Sequence, residues 1–597
     1  VNEPERFRRK LMKKTRLFYS LLMFLTMTTM AWGVSNVTGK WHGSQTALIE
    51  DTDTRIDVNN LEMFVYNDGN FAYDNANVLG KTDGLYFPRG TKKTVIYSAG
   101  LWVGAKVNND IRLSIAEFSS EFTPGPMVGG TYVPDNAAFR VYKLNKADTP
   151  TTNPDYSAWP VTQGAPVDSL GNPRIFGDQM AWSVFNDADP TNHVNDAAST
   201  APLGLEVQMS AFGFARGGAL GNTVFFKYVI INKGTNTLDS TFVSLWADPD
   251  LGDAASDLVG CDTVLSLGFC YNQGADAIYG SAPPAVGFDF FQGPIVPGLE
   301  TDSALVNGEY RHGFKNLPMA SFNKYINGTD PASRVETYGY MKGLTKDPIS
   351  GEMVDNVNPV TGLVTTYAVS GNPVDQTGWI DAAAADRRYM MSAGPFTMAP
   401  GDTQEVVAAV IVAQGTNPLS SISALKAADV AAQAVFDLNF DIPSPPPSPS
   451  VFLRGLDGAV DIIWGTEPVG NIEENEKLAQ EFHFEGYNLY QGESANGPWT
   501  KFATYDVDHD DQDEPVSLIY GDVVDAAAGG TQRIILQKGS NSGLVYNQTI
   551  TASQITGVPL KNNQPYYFAV TAYSYDYLNI TPFNDPGGNF LGYITET

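Results

Sequence analysis

The run Pro443-Ser-Pro-Pro-Pro-Ser-Pro449 constrains this chain more than any other stretch. Proline fixes φ and offers no N–H, so neither a helix nor a sheet ladder can cross such a run. It adopts polyproline II and acts as a stiff spacer. The chain must therefore fold as a long first part and a separate C-terminal module.

The first part reads as short strands divided by turn chemistry. Thr94–Val103 is rich in β-branched and aromatic residues, and Lys106–Ile115 follows it with Asn108-Asn109-Asp110 as the turn. Thr223–Asn232 runs through Lys233-Gly234-Thr235-Asn236 to Ser240–Ala247, which carries the signature of a hairpin. Phe396–Asp402 places Pro400 and Gly401 at the centre of a turn that feeds the strand Glu405–Ala413. One helix is predicted before the proline run. Ser420 or Ser421 caps it, and Ile422, Leu425, Val435 and Phe436 form its apolar face through Leu438. The predicted fold class is all-β, with several β-sandwiches and this one short helix. The predicted domains are 34–200, 201–440 with the helix at its end, a linker at 441–450 and a module at 451–597.

Lys13, Lys14 and Arg16 precede an apolar run from Leu17 to Met30, and Ala31 and Gly33 suit a cut before Val34. That is the pattern of a secretory signal peptide, with residues 1–33 removed. Val1–Leu11 reads either as an upstream start artefact or as a long positive n-region. Removing residues 1–33 takes away seven Lys/Arg and two Glu, leaving 30 bases, 64 acids and a net charge of −34. Such a surface repels nucleic acid and anionic lipid and favours divalent cations. No later apolar segment reaches the roughly 18 residues of a transmembrane span. The expected location is secreted or at the cell surface.

Asp248-Pro-Asp250-Leu-Gly-Asp253-Ala-Ala-Ser-Asp257, with Asp262 beyond, gathers five carboxylates in one short stretch. Carboxylates so close repel one another unless a cation sits among them, and Ca²⁺ suits hard oxygen ligands on an irregular loop. Asp248, Asp250, Asp253, Asp257 and Asp262 are therefore candidate ligands of a structural Ca²⁺, with a solvated acidic turn as the alternative. A second acidic run, Asp506–Glu514, lacks the Gly and Glu of a calcium loop and reads better as a hydrated insert. Cys261 and Cys270 permit one disulfide in an oxidising compartment, and equally two separate buried thiols.

Catalytic patterns do not stand out. The five histidines are scattered, and the sequence holds no HExxH, CxxC, GxSxG, Walker or GxGxxG motif. Trp102, Trp182 and Trp246 could stack on sugar rings, but their strand-like surroundings favour burial in a core.

Two resemblances add to this reading. Trp464 on a predicted strand, the strands Gly486–Tyr490 and Gly497–Ala503, and Leu560 six residues before Tyr566 resemble a fibronectin type III domain over about 451–580, with a long insert at about 506–550. That implies a spacer or adhesive sandwich. Phe87–Gly90, Ala99–Ala105, Ser119–Gly125, Ala247–Gly252 with Gly260–Asp262, and Gly394–Gln404 are similar to motifs of large secreted proteins of the Bacteroidetes–Ignavibacteria group. That resemblance implies a secreted protein and carries no assigned activity.

The expected function is a secreted structural or adhesive β-sandwich protein without catalysis, stiffened by Ca²⁺. Its partners would be extracellular matrix, cell-surface proteins, polysaccharide or further copies of itself. The alternative is a carbohydrate-binding or carbohydrate-degrading exoprotein with a fibronectin-like accessory module.

Overall fold

The computed structural model describes residues 54–74, 77–134, 136–195, 197–440, 449–465, 482–494, 499–507, 518–525, 530–540, 543–576, 580–584 and 590–595. The leader, the bulk of the proline run and most of the second acidic run lie outside them. The protein is all-β, with its strands in several antiparallel sheets. Two compact units divide between Asp429 and Val430.

The principal strands of the first unit are β1 Ser98–Val107, β2 Gln179–Asn186, β3 Leu205–Gly213, β4 Thr223–Asn232, β5 Leu238–Asp248, β6 Asp257–Asp262, β7 Leu267–Asn272, β8 Ala285–Gln292, β9 Met319–Ile326, β10 Arg387–Met398 and β11 Thr403–Ala413. The helix α1, Pro418–Asp437, follows. One nine-stranded sheet runs β6-β7-β8-β11-β4-β3-β2 and ends on the short strands Thr123–Pro124 and Tyr142–Asn145. A six-stranded sheet runs β9-β10-β5-β1, with Asn70–Phe71 and Asp110–Ile115 pairing along β1.

Strand alternation explains how the two sheets meet. Phe226, Tyr228 and Ile230 on β4, Val286 and Phe288 on β8, and Ala408, Val410 and Val412 on β11 recur at every second position and so share one face of the nine-stranded sheet. These residues share one buried cluster with Leu101 and Val103 of β1, Val243 and Leu245 of β5, and Met391 and Ala393 of β10. Phe71 fills the space between, its ring 4.5 Å from Phe226 and 5.8 Å from Phe288. Each large apolar side chain so buried contributes roughly 1.5–3 kcal/mol. The other face of the six-stranded sheet is also apolar. Trp102 and Trp246 stack there at 5.8 Å, and the short helix Arg334–Met341 covers them through Tyr338 and Met341. Gly104 permits that approach, because a Cβ on it would lie 2.7 Å from both Leu113 and the Met341 sulfur.

Three expectations are corrected. No boundary falls at residue 200, because β2 pairs β3 and β1 pairs β5 across it, so 34–200 and 201–440 do not form separate domains. β4 and β5 are not a hairpin. β4 pairs β3 and β11, whereas β5 pairs β1 and β10. Both strands carry apolar residues on both faces, which satisfies a buried place in either sheet, and the five residues between them carry the chain from one sheet to the other. The helix cap is Asn417, whose Oδ1 accepts from the Ser420 N–H at 3.0 Å, while the Ser421 hydroxyl donates to the Pro283 carbonyl at 2.7 Å.

The second unit holds β12 Val451–Leu456, β13 Ala459–Trp464, β14 Phe482–Gly492, β15 Trp499–Asp506, β16 Asn547–Ile550 and β17 Tyr567–Asp576. They form two three-stranded sheets, β12-β13-β16 and β15-β14-β17. Ile462, Trp464, Tyr487, Leu489, Ile550, Leu560 and Val570 form the buried core. The insert after β15 supplies a further pair, Leu518–Asp525 with Gly530–Lys538.

Candidate metal centre

Antiparallel pairing of β5 with β10 decides which carboxylates meet. Ala247 pairs Tyr389, so the end of β5 lies beside the start of β10. Asp248 closes β5, and Asp386 immediately precedes β10. Asp250 turns back after Pro249 with φ 44°, a left-handed conformation that an aspartate tolerates better than most residues. One carboxylate oxygen from each of Asp248, Asp250 and Asp386 lies within 4.8 Å of the other two. The Oδ1 atoms of all three are buried and accept no hydrogen bond from the described residues.

Arg388 brings a guanidinium to this cluster. Its Nη2 lies 3.3 Å from Asp248 Oδ2, and its Nη1 pairs with Asp330. It sits 4.9 Å over the ring of Phe118, whose edge meets Trp246 at 5.3 Å. Burial opposes its charge, but Asp248 and Asp330 outweigh that and raise its pKa. Four carboxylates thus surround one cation. The electrostatic result follows directly. Burial pushes Asp248 well above the ordinary carboxylate range, and Asp250, Asp386 and Asp330 add repulsion against which Arg388 works. Asp250 is pushed up to about 7 by burial and then by Asp386. Nearby Glu117 is also pushed up to about 7 by burial, although Asn195 Nδ2 donates to it at 2.6 Å.

No protein-family model and no curated protein matches this chain.

The remaining sequence candidates do not join the centre. Asp253 is exposed and caps a turn, its Oδ1 accepting from the Ala255 N–H at 3.2 Å. Asp257 is buried, with Oδ2 accepting from the Leu251 N–H at 3.1 Å and Oδ1 from Asn272 Nδ2 at 3.3 Å. Asp262 accepts from Lys426 Nζ at 2.7 Å and from the Val264 N–H at 3.0 Å; burial raises its pKa, but Lys426 holds it below the usual value. Each of the three already has donors, although burial, with repulsion from Asp250 and Asp248, holds Asp257 well above the ordinary carboxylate range despite its Leu251 bond. Asp386 is missing from the sequence candidates. It lies far along the chain, and only the pairing of β5 with β10 brings it in.

The disulfide is likewise not formed: Cys261 and Cys270 are buried free thiols. They sit on neighbouring strands but out of register, with Cys261 opposite Gly268 and Cys270 opposite Val259. The Cys261 thiol points to the Ala368 carbonyl at 3.5 Å. Trp102, Trp182 and Trp246 are all at most 2% exposed, so they are core residues rather than a platform for sugar.

Three convergent carboxylates supply hard oxygen donors of the kind Ca²⁺ takes, with backbone carbonyls and water completing its six to eight ligands. A divalent ion would offset the charge that Arg388 leaves uncompensated. Among the described residues, no helix is long and apolar enough to cross a membrane.

Proposed function

We propose that this protein is a secreted or cell-surface structural and adhesive β-sandwich protein without catalytic activity, stiffened by Ca²⁺ held by Asp248, Asp250 and Asp386. The observation that carries the calcium reading is the set of three buried Oδ1 atoms without donors at one sheet end. A cation there ties the end of β5 to the start of β10, a join between segments remote in sequence. The leader of residues 12–33 supports export, and the acidic composition supports a calcium-rich exterior.

The C-terminal unit serves in this reading as a fibronectin type III-like spacer. Trp464 is fully buried on β13, and Tyr566 Oη accepts from the Lys561 N–H at 3.0 Å, which suits the tyrosine corner of that fold. Matrix, cell-surface protein, polysaccharide or a second copy would be its partners. Isothermal titration of the chelator-stripped protein with Ca²⁺ and Mg²⁺, followed by binding to matrix- and polysaccharide-coated surfaces with and without Ca²⁺, tests the function. Saturable Ca²⁺ binding with calcium-dependent surface binding is expected. No heat of Ca²⁺ binding removes the stiffening role, and recovery of the protein from the cytosol with its leader intact removes the extracellular one.

A further inference from the structure

We propose that Asp289 and Asp429 form a proton-sharing latch that docks helix α1 onto the nine-stranded sheet at acid pH and loosens as pH rises. The geometry begins with β8. Val286, Phe288 and Phe290 point into the core between the sheets, so the alternate residues Gly287 and Asp289 point to the opposite face. Helix α1 lies on that face. A Cβ on Gly287 would be only 3.3 Å from Leu425 Cδ2, so the helix comes close there. Asp429 is one turn beyond Leu425 on the same side of the helix and meets Asp289.

Asp289 is 1% exposed and Asp429 2%, and each keeps a buried Oδ1 without a donor. The two carboxyl groups are in side-chain hydrogen-bond contact, which two carboxylates can make only by holding a proton between them. The charged groups that face the pair are Asp262 of β6, which adds repulsion, and Lys426 of α1, which is already paired with Asp262 at 2.7 Å. The Phe290 N–H is the backbone donor to Asp289. Burial drives the response in both. Asp289 is raised well above the ordinary range, by burial and then by Asp429, and Asp429 is pushed up to about 7 by burial.

The sign follows from linkage. Both groups have folded values above the 3.8 of an unfolded aspartate. The Asp429 contribution is therefore fully present below that value and is lost as pH rises through about 7, while that of Asp289 declines over the same range and on toward its own higher value. The consequence is local, because α1 is the last element before the proline run.

Amide hydrogen exchange of the intact chain tests this. In the wild type, protection of the α1 amides at 421–429, corrected for intrinsic exchange, should fall by about tenfold or more between about pH 5 and about pH 8. In Asp429→Asn the side chain still donates to Asp289 but no proton is shared, so that fall should vanish. Asp289→Asn should give the same result from the other side and serves if the first variant does not fold. Wild-type-minus-variant infrared spectra at mildly acid pH should also show the carbonyl band of one protonated carboxylic acid. An unchanged pH response in the folded variant, or no such band in the difference spectrum, overturns the latch.

Discussion

Replacing Asp386 by Asn should move stability in opposite directions with and without calcium. One oxygen from each of the three carboxylates lies within 4.8 Å of the others. Two unit charges at that separation repel by about 3.5 kcal/mol at an effective dielectric constant near 20. Arg388 and protonation relieve much of this, so Asp386→Asn should stabilise the metal-free protein by about 1–2 kcal/mol. With calcium at about a hundredfold its dissociation constant the wild type gains about 2.7 kcal/mol, and the variant, short of one anionic ligand, loses most of that. The assay is differential scanning calorimetry of the full chain in chelator and in excess Ca²⁺, following the transition of the larger unit. For a unit of this size the wild-type gain corresponds to roughly 3–5 °C. The two proteins should exchange rank between the two buffers. If both respond equally to Ca²⁺, or if the variant is the less stable in chelator, the cation-site reasoning is wrong.

Other expectations are more local. Gly104→Ala should destabilise the first unit by about 1–3 kcal/mol, read from the urea midpoint, because the added methyl meets Leu113 and Met341 at 2.7 Å. Trp246→Ala should cost about 3–5 kcal/mol and remove near-ultraviolet dichroism arising from its stack with Trp102. Tyr566→Phe should cost the second unit about 0.5–1.5 kcal/mol through loss of the Lys561 N–H bond, leaving the first unit's transition in place. Cys261 and Cys270 should resist a thiol reagent in the native protein and both react in urea, since burial raises both thiols and they are not bridged.

Much of the fold is legible from residues near one another in sequence. The Asn108-Asn109 turn joins two strands, both residues having positive φ, and the Pro400-Gly401 turn feeds β11 as its chemistry suggests. The apolar face of α1 is visible as Ile422 and Leu425. What the local pattern does not encode is which strands pair. β4 and β5 look like partners because both are apolar and a short polar stretch separates them, yet that stretch is the crossing between sheets. The candidate site shows the same limit. Asp248 and Asp250 stand out as an acidic loop, and so do Asp253, Asp257 and Asp262, which instead cap a turn, bond backbone and side-chain donors, and pair with Lys426. Asp386 has nothing in its own neighbourhood to mark it.

The position of β11 bears on how this chain reaches its final form. It is the last strand of the first unit to be synthesised, yet it lies in the middle of the nine-stranded sheet, between β8 and β4. Until residues 403–413 emerge, the sheet consists of two halves with facing edges and nothing to join them. Pairing of such remote segments is slow, because loop-closure entropy must be met before the contacts form. The largest sheet therefore cannot close before more than two thirds of the chain has been made, a delay that would serve the export proposed above if the chain threads a channel in extended form.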